Sequence, residues 1–243
     1  MIEAVGLGKI YEGCRAAALS DFDLQCRAGE VVGLLGPNGA GKTTALRILS
    51  TAVAPTFGRA RVGGHDIRTD ARAVRRSVGF LSGDTGLYGR LTAEETLRFF
   101  ARLFGIRGHQ LSSRMAEIAA LLDLSPFLRT RCDRLSSGQR QRVSIARTIV
   151  HDPPILILDE ATAGLDVLSS RTIISFIKRC RDRGRAVLFS THILSEAERL
   201  CDRIVLLHQG KPVFGGTTSA LKTQTGAQTL EDAFLSLIAG AES

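Results

Sequence analysis

Gly36-Pro37-Asn38-Gly39-Ala40-Gly41-Lys42-Thr43 fits the spacing GxxxxGK[ST], with Thr44 directly after it. Glycines so placed let the backbone curl around phosphate oxygens, so that several N–H groups and the positive end of the following helix converge on negative charge. Lys42 adds a point charge toward β and γ phosphates, and the Thr43 hydroxyl offers Mg²⁺ one of the oxygen ligands it prefers. The competing reading is a glycine turn without chemistry. Against it stand the apolar run Val31–Leu35 before the loop and the helical pattern Ala45, Leu46, Ile48, Leu49 after it.

Ile155-Leu156-Ile157-Leu158-Asp159-Glu160 is an apolar run ending in two carboxylates. Ligands bind at the C-terminal ends of strands in open α/β sheets. There Asp159 can hold the shell of a Mg²⁺ ion, and Glu160 can orient and deprotonate a water in line with a γ phosphate. Two acids could also be a simple turn; their weight comes from sharing a chain with the phosphate loop. A third feature, Leu135-Ser136-Ser137-Gly138-Gln139, precedes a helix expected over about residues 140–150, at whose positive end Ser137 and Gly138 would expose backbone donors. One nucleotide needs one such cradle. A second one suggests the γ phosphate of a nucleotide held by another copy, with two composite sites in a symmetric dimer.

The phosphate loop, LSSGQ and ILILDE, in this order, resemble the ATP-binding cassette family of ATPases over essentially the whole chain, with Ser137 the one departure from the usual LSGGQ. The resemblance implies further roles. Ala163-Gly164-Leu165-Asp166 is similar to the dimer-contact loop after the acidic strand, which would set Asp166 to work across an interface. His192, in Ser190-Thr191-His192, is similar to the switch histidine that senses γ phosphate. An isolated histidine is more often structural, but the end of the strand-like run 186–189 is where a ligand lies. Tyr11, after Leu7-Gly8-Lys9-Ile10, resembles the aromatic that stacks on adenine, although an aromatic is as often simple packing. Implied cofactors are ATP and Mg²⁺. Glu160, His192 and Lys42 would be catalytic; Tyr11, Gly36, Pro37, Asn38, Gly39, Ala40, Gly41, Lys42, Thr43, Thr44, Ser136, Ser137, Gly138, Gln139 and Asp166 would meet nucleotide; Thr43 and Asp159 would meet metal.

Two departures stand out. Aligned on Leu87-Tyr88, Gly83 occupies the slot of a glutamine that in the family bonds Mg²⁺ and attacking water and couples the site to the membrane domain; Ser82 or Asp84 are the candidates to replace it. Ala161 follows the acidic pair where the family usually has proline, with little chemical consequence expected. The segment 79–88, followed by Leu91-Thr92, is similar to the Nat-type sodium-exporting subgroup, whose members also lack the glutamine, and Leu230-Glu231-Asp232-Ala233-Phe234 resembles the same exporter branch.

These residues need a scaffold. Short apolar runs at 155–158, 186–189 and 204–207, separated by helical or loop segments, predict a mainly parallel sheet covered on both faces. Ile2 to Val5 and the alternation Phe22, Leu24, Cys26 predict an antiparallel edge sheet. Residues 92–124 read as a helical insertion opened by a capping box, Thr92 with Glu95; 215–226 reads as a connection, and 230–238 as a final amphipathic helix. The expectation is one α/β domain over 1–243: a phosphate-loop core from 1–80 and 153–226 that includes the antiparallel part, a helical subdomain over 90–152, and a C-terminal helix in 227–243.

Composition narrows the partners. With 243 residues and 44% hydrophobic content, the chain can bury a substantial core. Its apolar runs fall far short of the ~20 residues that span a bilayer. Residues 1–5 lack a basic segment followed by an apolar one, so no secretory signal is expected. The five cysteines are odd in number and widely spaced, which favours reduced thiols. A net charge of +8 could suit nucleic acid, yet Arg72, Arg75, Arg76 and Arg179, Arg181, Arg183, Arg185 lack interleaved aromatics and read as solvated helix faces. The expected protein is the ATP-hydrolysing subunit of an exporter, with sodium the suggested solute. It would work as a homodimer or heterodimer at the cytoplasmic face of the membrane, beside a polytopic permease, with no nucleic acid. The alternatives are a soluble cassette ATPase of translation or DNA repair, a regulator without turnover, or an exporter of drugs or another solute.

Overall fold

A computed structural model describes residues 1–83 and 86–241. In chain order the strands are β1 (Ile2–Lys9), β2 (Leu19–Cys26), β3 (Val31–Leu35), β4 (Phe57–Val62), β5 (His65–Asp66), β6 (Val78–Leu81), β7 (Ile155–Asp159), β8 (Ala186–Thr191), β9 (Arg203–His208) and β10 (Lys211–Gly216). The helices are α1 (Lys42–Leu49), α2 (Ala71–Ser77), α3 (Ala93–Leu103), α4 (Gly108–Leu121), α5 (Ser137–Thr148), α6 (Val167–Asp182), α7 (Leu194–Leu200), α8 (Thr218–Thr225) and α9 (Leu230–Ala241).

Six strands form the main sheet in the order β10-β9-β3-β8-β7-β6, parallel apart from the β9–β10 hairpin. A separate antiparallel sheet runs β2-β1-β4-β5. This is the mixed α/β, phosphate-loop architecture that the sequence implies. β3, β7 and β8 are buried along their whole length, which is why they read as unbroken apolar runs. Period-two geometry divides their side chains between two cores. Ile155 and Ile157 face a core with α1 and the antiparallel sheet, beside Leu46, Leu49 and Phe22; Leu156 and Leu158 face a core with the helical insertion and α6, beside Ile145, Ile118 and Phe176. Fully burying one such side chain is worth about 1.5–3 kcal/mol.

The capping box at Thr92 is present, with the Glu95 amide donating to Thr92 Oγ1 and the Thr92 amide to Glu95 Oε2. Two expectations need correction. The helix after LSSGQ starts at Ser137, not near residue 140, because Ser136 and Gln139 form a second capping box of the same kind. The stretch 215–226 is not a plain connection: it contains α8, which opens with the Ala220 amide donating to Thr217 Oγ1 and closes at Gly226 in the left-handed region. Among the described residues no helix is long and apolar enough to cross a membrane.

Candidate functional site

Parallel register gathers the site. Leu35 at the end of β3 pairs with Thr191 of β8 and Leu206 of β9, and Asp159 at the end of β7 pairs with Ser190 of β8. Whatever follows these strand ends therefore meets at one edge of the sheet. After Leu35 the chain turns at Gly36, where a Cβ would lie 2.2 Å from the Leu207 carbonyl oxygen, so only glycine fits. Gly41, at φ 102°, caps α1 without any side chain, leaving the first amides of that helix to an outside acceptor. They border a cleft of about 150 Å³ lined by Ala18, Asn38, Gly39, Gly41, Lys42, Thr43, Thr44 and Glu160.

Lys42 is only 5% exposed. Its Nζ donates to the carbonyls of Gly36 at 2.7 Å and Pro37 at 3.0 Å, which holds the loop curled. Burial pulls the lysine pKa below its ordinary value, while the carboxylates of Glu160 and Asp159 oppose that pull. The ammonium thus sits between two acids and a cradle suited to an anion.

Ser190 Oγ donates to Asp159 Oδ1 at 2.6 Å and accepts from the Glu160 amide at 2.9 Å, so one hydroxyl fixes both acids. Glu160 adopts φ 46°, a left-handed conformation that takes its side chain off the strand line toward the cleft. His192 Nδ1 lies 3.3 Å from Glu160 Oε1. Behind them Thr162 and Thr191 both donate to Glu196 Oε2, and Gln141 of α5 donates to the Ala161 carbonyl at 2.8 Å. The structure therefore brings Lys42, Thr43, Asp159, Glu160 and His192 together. Nothing in the sequence marks out Ser190 or Gln141; Ser190 stands two residues before the histidine, and register with Asp159 is what exposes its role.

Mg²⁺ fits these donors. Asp159, the residue before the cleft-lining Glu160, carries a second oxygen beyond the one bonded to Ser190, and Thr43 supplies a hydroxyl at the cleft. Among the described residues no three His, Cys, Asp or Glu converge as a metal cage. Mg²⁺ does not need one, since it keeps waters and binds through one or two protein oxygens plus phosphate.

A second constellation lies apart from that cleft. Ser136 accepts from the Gln139 amide at 3.2 Å, and Gln139 Oε1 accepts from the Ser136 amide at 3.0 Å, a box that does not use the amides of Ser137 and Gly138. Asp166 caps α6 by accepting from the amides of Leu168 and Ser169 and from Ser169 Oγ. The Ser169 hydroxyl, then its amide, hold the Asp166 carboxyl below its ordinary pKa. A Cβ on Gly138 would lie 2.2 Å from Ser169 Oγ and 3.6 Å from Asp166 Oδ2, so LSSGQ and the Asp166 loop are close neighbours. None of Ser136, Ser137, Gly138, Gln139 and Asp166 lines the Lys42 cleft. Tyr11 sits in the loop between β1 and β2, 5.3 Å under Lys9 Nζ, and Ala18 at the far end of that loop lines the cleft. Gly83 has open space around it; Asp84 lies outside the described residues.

The family model described as ABC transporter matches residues 19–163, more than half of the chain. The chain belongs to the ABC transporter family. It is 37% identical over 220 residues to the ABC transporter ATP-binding protein NatA of Bacillus subtilis, covering 90% of this chain and 89% of NatA. It is 38% identical over 229 residues to the daunorubicin/doxorubicin resistance ATP-binding protein DrrA of Streptomyces peucetius, covering 94% of this chain and 69% of DrrA. Among solved structures it resembles the ATP-binding cassette MJ0796, a dimer in a post-hydrolysis state bound to ADP and Pi, with a TM-score of 0.80 at 28% identity over 89% of this chain and 98% of that one. The chain is an ABC ATPase domain, the ATP-binding subunit of an ABC transporter.

Proposed function

We propose that two copies close around two ATP molecules, each gripped by the phosphate loop of one copy and the Ser136–Gln139 helix end of the other, and that closure drives solute export through a separate polytopic membrane subunit. One observation carries this reading: the chain holds two anion-seeking helix ends, and only one of them borders the Lys42 cleft. The MJ0796 cassette, itself dimeric with ADP and Pi, supports it.

In the closed dimer the α1 amides and Lys42 bind the β and γ phosphates. Thr43 and Asp159 would hold a Mg²⁺ ion, which would supply neutralisation of phosphate charge. Glu160 orients a water and takes its proton, and His192, within hydrogen-bonding reach of Glu160, keeps that carboxylate aimed at the γ phosphate. Asp166 presents its loop to the opposite copy, and Tyr11 stacks on adenine. The helical part, 90–152, and the core, 1–80 with 153–226, act as the moving pieces, with the C-terminal helix packed on the core. The protein works at the cytoplasmic face of the membrane without nucleic acid.

For the solute, the segment 79–88 and the similarity to NatA favour sodium, while the similarity to DrrA favours a drug. Efflux of each from vesicles holding the chain with its membrane subunit separates the two.

Glu160→Gln is the test of the mechanism. Hydrolysis should fall by about 10² to 10⁴ fold, as expected for loss of a general base, while ATP converts the chain to a stable dimer in sedimentation. A Glu160→Gln protein that binds ATP yet stays monomeric, alone and with its membrane subunit, removes the reading.

A further inference from the structure

We propose that Arg147 is a positioning residue that makes the Ser136–Gln139 helix end and an exposed aromatic face of the molecule move as one body. The proposal rests on the two-copy reading above, because it is γ-phosphate engagement at Ser136–Gln139 that would set α5 in motion.

The connection can be followed atom by atom. Arg147 stands eleven residues beyond the Ser136 cap on α5, about 16 Å along the helix at 1.5 Å per residue. It is 9% exposed. Its Nη1 donates to the Gly86 carbonyl at 3.0 Å, and its guanidinium lies 5.3 Å from the centre of the Phe100 ring on α3. Phe100 meets Phe99 edge to face at 5.4 Å, and Phe99 meets Tyr88 edge to face at 6.3 Å. The last two rings are 45% and 59% exposed, two large aromatics side by side at the surface. The backbone closes the circuit from the other side. The Asp133 amide donates to the Gly89 carbonyl and the Cys132 amide to the Leu91 carbonyl, so the segment carrying Tyr88 is also tied to the residues just before Ser136.

Energetics make this a link rather than a contact. A guanidinium is costly to bury unless its donors and its face are both matched. Desolvation already pulls the Arg147 pKa below its ordinary value. Moving α5 while leaving Gly86 and Phe100 behind would strip a buried cation of these partners, so the lower-energy path carries them along. A fork-shaped donor pressed on a ring is not replaced by an ammonium. The arrangement also needs no side chain at Gly83, where the glutamine is missing.

The chain has no tryptophan, so Phe99→Trp places a single indole in the exposed face. In the Glu160→Gln protein carrying Phe99→Trp, ATP should change the indole emission as the dimer forms. Adding Arg147→Lys, or Arg147→Met as a second variant of similar bulk, should abolish that change while ATP binding and the ATP-driven dimer persist in sedimentation. An emission change that survives both variants overturns the proposal, as does an indole that stays silent with Arg147 intact although the dimer forms. Loss of the dimer in both variants overturns it too, since Arg147 would then serve closure itself and not its transmission. Failure of ATP to produce a dimer with Arg147 intact refutes the two-copy reading instead.

Discussion

The N-termini of α1 and α5 solve the same electrostatic problem in opposite ways. Every helix start leaves about four backbone amides without partners inside the helix. α3 deals with this as an ordinary structural helix does, with a capping box and two acids, Glu94 and Glu95, in its first turn. α1 and α5 carry no acid in the first turn. α1 has no side-chain cap at all and begins with a lysine, a cation at the end where a cation is least favoured. Such an end, bordering the Lys42 cleft, suits an anion. α5 is sealed by Ser136 and Gln139 beforehand, so its remaining amides are held rigid before any phosphate arrives. One cradle is finished by its ligand; the other is a preformed surface that closes over a ligand already bound.

Breaking the open cradle should cost most. In Gly41→Ala the new Cβ meets the Ala18 carbonyl oxygen at 2.7 Å, and an L-residue is forced to φ 102°. Strain of about 2 kcal/mol should lower Tm by several degrees and weaken ATP binding to the monomer at least about tenfold, measured by titration. Gly138→Ala tests the sealed cradle. Its Cβ meets the Ser169 side chain, so Ser169 must give up its bond to Asp166, a loss of about 1 kcal/mol. Monomer binding of ATP should be unchanged and ATP-driven dimerisation weakened about tenfold. An equal drop in monomer binding would show that the two cradles are not separate. Ser136→Ala removes the cap together with one hydroxyl of the proposed nucleotide grip, and leaves Gly138 and the Asp166 loop as they are. It should cost about 1 kcal/mol of stability in denaturant unfolding and blunt dimerisation less than Gly138→Ala does.

The same contrast explains what the sequence made legible. The phosphate loop could be read because its glycines and Lys42 keep a fixed spacing between an apolar run and a helical pattern; the backbone oxygens of Leu207 and Ala18 that also demand glycine at 36 and 41 come from elsewhere in the chain and show only in the fold. The acidic strand could be read because β7 is buried on both faces and so appears as an uninterrupted apolar run. α5 starts earlier than the sequence pattern suggests, even though Ser136 and Gln139 have the same spacing as Thr92 and Glu95. There the box opens a largely polar stretch, and no apolar periodicity marked the helix behind it. β4 buries only Ala60 and Val62 and β10 is half-buried, so neither shows the run that β3 does. Ser190 could not be assigned from sequence because its role comes from pairing with Asp159, 31 residues away.

The far end of α5 offers the smallest and sharpest test that this helix is anchored as a preformed unit. Arg114 of α4 donates to the carbonyls of Ile149 and Val150, just past the helix end. Next to them His151 stacks on Phe104 at 3.8 Å and donates from Nε2 to the Val78 carbonyl at 3.2 Å. Its buried Nδ1 has no partner among the described residues. Desolvation pushes the His151 pKa down to about 4, against the Val78 hydrogen bond and with help from the Arg114 charge; Asp152 opposes the shift and Arg185 adds to it. The unfolded chain titrates this group near 6.5. The folded state favours the neutral ring, so its contribution is complete above about pH 6.5 and is lost as pH falls toward about 4. Because the ring is partly solvent-screened, the loss should be about 1 kcal/mol. His151→Phe keeps the stack on Phe104 and removes the proton. Between pH 6.5 and 5, above the range in which most carboxylates titrate, the decline in Tm with acidity should be shallower in this variant than in the parent. Parallel slopes would show that the ring does not hold the end of α5 in its neutral form.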